Sequence, residues 1–362
     1  MGRPVHVEMS RWFTRIPRPV EECRLHSRPH SEEAAVKNRR LVLACAVVTV
    51  LVHVELALRA GQEPPGAPAT QVFRSRADLV ALNVVVTDGH KLVGGLGPGD
   101  FTVLEDGVAQ DVTFFATRDV PLDLAILVDT SASMTAKMPV VREAAKGLLQ
   151  RLRSGDRALV VDLKVGMRIL HPLGGELPAA VDAIDALEPG GGTALYNGLY
   201  ATYRNLVKQR QSFEGQVRRQ AIAVLSDGLD TSSLLAFEDV LDAAKESGIA
   251  TYTITLMTPE GFGLPATTSR VLGPSEFGMK TLAEETGARP FFPRAVGELK
   301  DVYAAIGAEL SQQYAMGYSP KIAGGGGQFR RIHVRVADRP DLRARTRSGY
   351  MPPRASRGGE VE

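Results

Sequence analysis

Two carboxylates and three hydroxyls stand at places in this 362-residue chain where they can do chemistry together. Asp129-Thr130-Ser131-Ala132-Ser133 is a D-x-S-x-S segment that directly follows an apolar run. Gly190-Gly191-Gly192-Thr193 opens a helical segment, and Ser226-Asp227-Gly228 ends a second apolar run. Asp129, Ser131, Ser133, Thr193 and Asp227 are hard oxygen donors with no imidazole or thiol beside them, a set that suits Mg²⁺ or Mn²⁺ rather than zinc or copper. Two carboxylates offset a divalent charge. Hydroxyls are weak neutral ligands and leave the ion a strong Lewis acid. Five such side chains, some acting through water, keep an octahedral position open, where an incoming carboxylate can displace a water. D-x-S-x-S by itself is equally compatible with helix capping; the three pieces together favour the ion.

Strands and helices must bring these pieces to one edge. From Pro121 onward apolar runs at 122–128, 157–163, 168–170, 221–225, 249–256 and 291–292 read as strands. Helical spacing occupies 139–152, 177–187, 195–207, 237–247, 277–286 and 299–312, and Val140, Ala144, Leu148 and Leu152 form the apolar face of the first. This alternation predicts an α/β fold: a Rossmann-like, doubly wound, mostly parallel sheet, which binds ligands at the carboxyl ends of its strands. Strand patterns flank it at 79–87, 101–104 and 112–116 and again at 313–318, 329–336 and 344–348. They predict a small β module built from both flanks. In 329–336, Ile332, Val334 and Val336 alternate with Arg331, His333 and Arg335, so one face is buried and the other cationic; Arg330, Arg331 and Arg335 are expected on a solvated face.

DTSAS, GGGT and the strand-terminal SDG resemble the von Willebrand factor type A domain and its metal-ion-dependent adhesion site, over about residues 120–313. The resemblance implies that Ser131, Ser133 and Thr193 sit closest to the metal, with Asp129 and Asp227 binding directly or through water. The flanking FRSRADLVALNVVVTD, GDFTVLEDG, QYAMGYSP, FRRIHVRV and RSGY are similar to a bacterial family of von Willebrand A-related proteins frequent in acidobacterial genomes, over roughly 70–350. The expected organisation is a leader at 1–60, a Pro/Gly/Ala linker at 61–70, the first part of the β module at 71–118, the α/β domain at 120–313, closing strands at 314–350 and a tail at 351–362.

The function implied is a metal-dependent adhesion or protein-binding module that captures an Asp or Glu carboxylate of a partner. A metal-dependent hydrolase or phosphotransferase is the alternative, and a subunit coupled to an ATPase complex a third. An aspartyl-phosphate route would want a second Asp two residues after Asp129, where Ser131 stands. No G-x-S-x-G elbow, P-loop or G-x-G-x-x-G motif is present. Asp230 and Thr231 are read as loop residues more than as support for the site, Tyr196 as site edge or core, and His53 and His171 as lacking partners at ligand spacing. The long connection 257–276 follows a strand end on the ligand edge and is expected to shape partner choice.

Charge and composition narrow the partners. Residues 1–40 hold nine Lys/Arg and five Asp/Glu, and 329–362 hold nine Arg and four Asp/Glu. Within a net charge of +2, residues 41–328 therefore carry −7, which argues against nucleic-acid binding by the folded core. Cys23 and Cys45 are the only cysteines, in keeping with an oxidising compartment. Arg39-Arg40 precedes a twelve-residue apolar run, 41–52, short for a spanning helix and suited to a signal peptide. Cleavage near Ala60 is favoured, an uncleaved membrane anchor and a buried core helix are the alternatives, and translation starting near Val36 would give a leader of ordinary size. The chain is accordingly expected to be exported: periplasmic, in the cell envelope or secreted.

Overall fold

The computed structural model describes residues 79–117, 120–212, 217–227, 229–256, 272–322 and 327–352. The leader, the linker, most of the 257–276 connection and residues 353–362 of the tail lie outside the described residues. Strands β1 (Val80–Asp88), β2 (Lys91–Leu92), β3 (Phe101–Glu105), β4 (Val108–Gln110) and β5 (Val112–Ala116) come first. The α/β part then runs β6 (Leu122–Asp129), α1 (Met138–Leu149), β7 (Arg157–Leu163), β8 (Met167–Gly174), α2 (Leu177–Asp185) and α3 (Leu195–Ser212). It continues with β9 (Arg219–Ser226), α4 (Phe237–Ser247), β10 (Ala250–Thr255), α5 (Pro274–Glu285), β11 (Pro290–Phe291) and α6 (Leu299–Ser311). Strands β12 (Tyr314–Tyr318), β13 (Arg330–Val336), β14 (Leu342–Arg345) and β15 (Gly349–Tyr350) follow.

The central sheet has the order β11-β10-β9-β6-β7-β8 and is parallel except for the β7–β8 pair. Strand β6, LDLAILVD, is buried along its whole length because both faces of the sheet are covered. Successive side chains point to opposite faces. Leu124, Ile126 and Val128 accordingly join a core with Val141 of α1, Ile184 of α2 and Ile306 of α6. Ala125 and Leu127 join a second core with Leu199 of α3, Val240 of α4 and Leu282 of α5. This doubly wound arrangement places the carboxyl ends of β6 and β9 side by side.

The two flanks meet as expected from their patterns. β1 pairs antiparallel with β12, Val80 opposite Tyr318, and with β14, Asp88 opposite Leu342. β13 pairs with β3, Val336 opposite Phe101. Two small sheets, β14-β1-β12-β5 and β15-β13-β3-β4, share one apolar core that includes Val84, Phe101, Tyr314 and Ile332. The α/β domain leaves this module after β5 and returns to it at β12. One buried guanidinium, Arg219, holds both crossings: it donates to the carbonyls of Val120 (3.1 Å) and Leu310 (2.6 Å) and to the side chain of Gln313 (3.4 Å).

Four details differ from the sequence reading. The apolar face of α1 carries Val141, Ala144, Ala145, Leu148 and Leu149, and Val140 is 40% exposed, because the helix is turned by one position from the predicted stripe. Arg330 is not on the solvated face: it is buried and donates to Glu105 at 2.6 Å, while Arg331, His333 and Arg335 are exposed as predicted. Glu105 also accepts the Tyr318 and Tyr350 hydroxyls, at 2.7 and 3.0 Å, so the buried carboxylate has partners on both oxygens. The expected strand 344–348 is two short strands, β14 and β15, because the residues between them turn aside to the end of α5, where the Ser348 amide donates to the Glu285 carbonyl (3.1 Å). Strand β8 extends to Gly174 instead of ending at Leu170.

Candidate metal centre

All five predicted donors come together at the carboxyl edge of the sheet. Asp129 ends β6, Ser131 precedes and Ser133 lies in a short 3₁₀ turn (Ala132–Met134), Thr193 precedes α3, and Asp227 follows β9. The Ser133 hydroxyl donates to Asp227 Oδ2 (2.7 Å) and lies 2.9 Å from the Ser131 hydroxyl. The Thr193 hydroxyl donates to Asp129 Oδ1 (3.1 Å), and the same oxygen accepts the Ser131 amide (2.8 Å). Asp129, Ser131, Thr193 and Asp227 are buried; Ser133 is exposed and opens the cluster to solvent.

The glycine loop is shaped for this. Gly190 and Gly191 have φ of 148° and 80°, a region that disfavours side chains. In that conformation the Gly190 amide donates to the Thr130 carbonyl (2.7 Å), and the Gly191 carbonyl accepts the Ala132 amide (3.0 Å). The loop bearing Thr193 is thereby stitched to the loop bearing both serines. A Cβ on Gly192 would stand 2.9 Å from the hydroxyls of Thr231 and Ser232, so a side chain there would displace the Thr231 hydroxyl that accepts the Thr193 amide.

Several supporting residues escaped the sequence reading or were weighted wrongly. Ser226 donates to Asp129 Oδ2 at 2.7 Å and is fully buried, so Asp129 has both oxygens engaged. The Thr130 hydroxyl donates to Asp162 Oδ1 on β7. The only sequence signal for Asp162 is a charge inside the apolar run RALVVDL. Asp230 and Thr231 are more than loop residues. Asp230 accepts the Tyr196 amide in the first turn of α3 (2.8 Å) and the amides of Ser232 (3.1 Å) and Ser233 (2.8 Å). The Thr231 hydroxyl accepts the Thr193 amide (3.0 Å). Tyr196 packs on Phe237 with ring centroids 6.0 Å apart. His171 is buried with Nδ1 3.2 Å from the Ala158 carbonyl, at the opposite end of β7.

The electrostatics fit a cation. Burial pushes the Asp129 carboxyl above its ordinary value; hydrogen bonds from Ser226 and Ser131 act against this, and the nearby Asp227 charge adds to it. Two carboxylates and three hydroxyls in one partly enclosed cluster are the oxygen-only donors that Mg²⁺ or Mn²⁺ takes. Among the described residues there is no group of three or more His, Cys, Asp or Glu side chains able to hold a metal ion. The candidate centre therefore depends on its hydroxyls.

An open α/β domain with a carboxylate–hydroxyl cluster at its switch edge is the class that fold and site define. Residues 124–229 match the von Willebrand factor type A domain family, and the chain carries a domain of that family. Among solved structures, proximal thread matrix protein 1 of the mussel byssus aligns with 16% identity and a TM-score of 0.43, over 54% of this chain and 50% of its own. The chain thus spans half the length of that protein, of which another structure has a zinc-occupied metal-ion-dependent adhesion site motif. A von Willebrand factor type A protein of Catenulispora acidiphila aligns with 16% identity and a TM-score of 0.42, over 75% of this chain and 73% of its own. BatB of Bacteroides thetaiotaomicron aligns with 16% identity and a TM-score of 0.40, over 53% of this chain and 100% of its own. No curated protein matches the sequence.

Proposed function

We propose that the domain is a non-catalytic, metal-dependent protein-binding module. Asp129, Ser131, Ser133, Thr193 and Asp227 would hold Mg²⁺ or Mn²⁺, directly or through water, and an Asp or Glu carboxylate of a partner protein would complete the coordination. One observation carries this reading: residues as far apart in sequence as Ser133 and Asp227, 94 positions, form a single hydrogen-bonded cluster of hard oxygen donors at the ligand edge. The hydrolase or phosphotransferase alternative is disfavoured by the residue types. Position 131 is a serine where a phosphoryl-transfer aspartate pair would need its second acid, and His171 lies at the other end of its strand from the cluster.

The apolar run 41–52 behind Arg39-Arg40 supports export to the periplasm, the envelope or the medium, with attachment to the membrane through that segment if it is not cleaved. Export disfavours coupling to an ATPase complex. Among the described residues no helix is long and apolar enough to cross a membrane.

The test joins metal titration to partner capture. The wild-type chain is expected to bind Mg²⁺ or Mn²⁺ and the Asp129→Ala variant to lose that binding. A partner pulled from envelope extract should be released by EDTA. Retention of the partner through EDTA and Asp129→Ala alike overturns carboxylate capture. N-terminal sequencing of the mature chain separates cleavage from anchoring.

A further inference from the structure

Three large aliphatic side chains stand in solvent on loops at the carboxyl edge of the sheet, where the candidate metal centre lies: Val165 is 61% exposed, Leu229 49% and Leu234 95%. Val165 and Leu229 adjoin the cluster, and Leu234 lies on the β9–α4 connection that also carries Asp227. Val165, in the β7–β8 turn, has a methyl 3.6 Å from where a Cβ on Gly192 would lie, one residue before Thr193. The Leu229 amide donates to Asp227 Oδ1 (3.2 Å). The Leu234 and Leu235 amides both donate to the Asn197 side chain in the first turn of α3 (3.2 Å each), the helix that Thr193 precedes. The loop that carries Leu234 into water is therefore anchored. A single exposed leucine on a surface needs no explanation, but apolar side chains gathered beside a binding site do.

We propose that the carboxylate captured by this site is presented by a protein segment with aliphatic side chains on either side of its acidic residue. The inference rests on the metal reading above and names its partner. A divalent ion held by two carboxylates keeps an open position that a single anionic oxygen complements. Around it, Val165, Leu229 and Leu234 gain only from apolar surface, because burial of such groups is driven by their removal from water. The carboxylate of a sugar acid is surrounded by hydroxyls, which would lose water against these side chains without finding partners. An Asp or Glu between aliphatic residues satisfies the ion and the rim at once. Val165 and Leu234 act as specificity-determining residues and take no part in holding the ion.

The experiment uses the full chain saturated with Mn²⁺ and two peptides, acetyl-Gly-Leu-Asp-Leu-Gly-amide and acetyl-Gly-Ser-Asp-Ser-Gly-amide, with Mn²⁺ binding read separately by electron paramagnetic resonance. The leucine peptide is expected to bind about tenfold or more tightly than the serine peptide. In the variant carrying Val165→Ser and Leu234→Ser, that preference should fall to about twofold or less while Mn²⁺ affinity and melting temperature stay at wild-type values. Bound Mn²⁺ with equal affinity for the two peptides, or with a leucine preference that survives the double substitution, overturns the inference and leaves the metal reading standing. Absence of Mn²⁺ binding by the wild-type chain overturns both.

Discussion

The Thr130 hydroxyl donates to the carboxylate of Asp162, tying the loop that bears Ser131 and Ser133 to the neighbouring strand β7. Both side chains are fully buried. Thr130 makes two further bonds with its backbone: its amide donates to the Leu163 carbonyl (3.2 Å) and its carbonyl accepts the Gly190 amide (2.7 Å). The other Asp162 oxygen faces Lys164 and Arg168 at 3.8 and 3.7 Å, beyond hydrogen-bond range, and has no hydrogen-bond partner among the described residues. Thr130 is thus a positioning residue that ties the loop of Ser131 and Ser133 to β7 and to the glycine loop before Thr193.

Replacing Thr130 by valine keeps the shape and removes the bond, leaving a buried carboxylate oxygen without its donor. The expected cost is about 1–3 kcal/mol in urea unfolding of the metal-free chain. Because the loop would be less well fixed, Mn²⁺ affinity should also fall, and Thr130→Ser should restore it. If Thr130→Val lowers stability with Mn²⁺ affinity unchanged, the threonine is a structural residue alone.

Metal binding should stabilise the fold. An ion that binds the native state and not the unfolded chain adds about 2.7 kcal/mol at a concentration of one hundred times its Kd. Differential scanning fluorimetry is expected to show a rise in melting temperature with Mg²⁺ or Mn²⁺, reversed by EDTA and absent from Asp227→Ala.

Gly287 has φ of +79°, and a Cβ there would lie 2.4 Å from the backbone of Thr346 and Arg347. Gly287→Ala meets both obstacles, conformational and steric. A loss of about 2 kcal/mol or more in chemical denaturation is expected. Gly89→Ala also sits at positive φ, +56°, but has open space around it, and it should cost clearly less.

Alkaline pH should unfold the protein. Burial pushes the Tyr203, Tyr252, Tyr303 and Tyr318 hydroxyls above their ordinary range, and burial together with Glu105 pushes Tyr350 up to about 12. The unfolded chain then gives up these protons near pH ~10 while the folded chain keeps them, so stability is complete below that pH and lost above it. Each fully buried tyrosine removes about 1.4 kcal/mol for every further pH unit. Arg347, lowered by burial to about 10, works the other way, as do Arg210 and Arg219, which burial also lowers. Circular dichroism and tyrosinate absorbance should show the loss of fold and the ionisation of these tyrosines in one transition.

The donors and their order were legible in the sequence because each sits at the junction of a strand or helix whose apolar period is strong. β6 is the clearest case: its uninterrupted apolar run ends at Asp129. What stays hidden is long-range pairing between polar residues. Nothing in the local pattern says that Ser226 reaches Asp129, 97 positions away, or that Asp230 will hold the start of α3 from another loop. Arg330 was misplaced for a related reason. Strand alternation puts it on the buried side with Ile332, and only the Glu105 carboxylate, 225 positions earlier, makes a cation tolerable there. The shift from Val140 to Val141 in α1 reflects a narrower limit: a one-residue rotation of an apolar stripe is invisible where several aliphatic residues are adjacent.

The pairing of β1 with β12 also bears on how the chain is made. Val80 leaves the ribosome long before its partner Tyr318, and the whole α/β domain is synthesised between them. β1, β3 and β5 can pair early only with near neighbours such as β2 and β4, and their edges toward β12, β13 and β14 must wait until almost everything else has been translated. Their neighbours can form only after the intervening domain has brought the two ends together, a late and slow closure for contacts of such sequence separation. The module made first is therefore completed last. A chain stalled or cut just after α6 would hold every residue of the candidate metal centre and yet leave β1 and β5 without the strand that joins them, a form exposed to aggregation through its open edges.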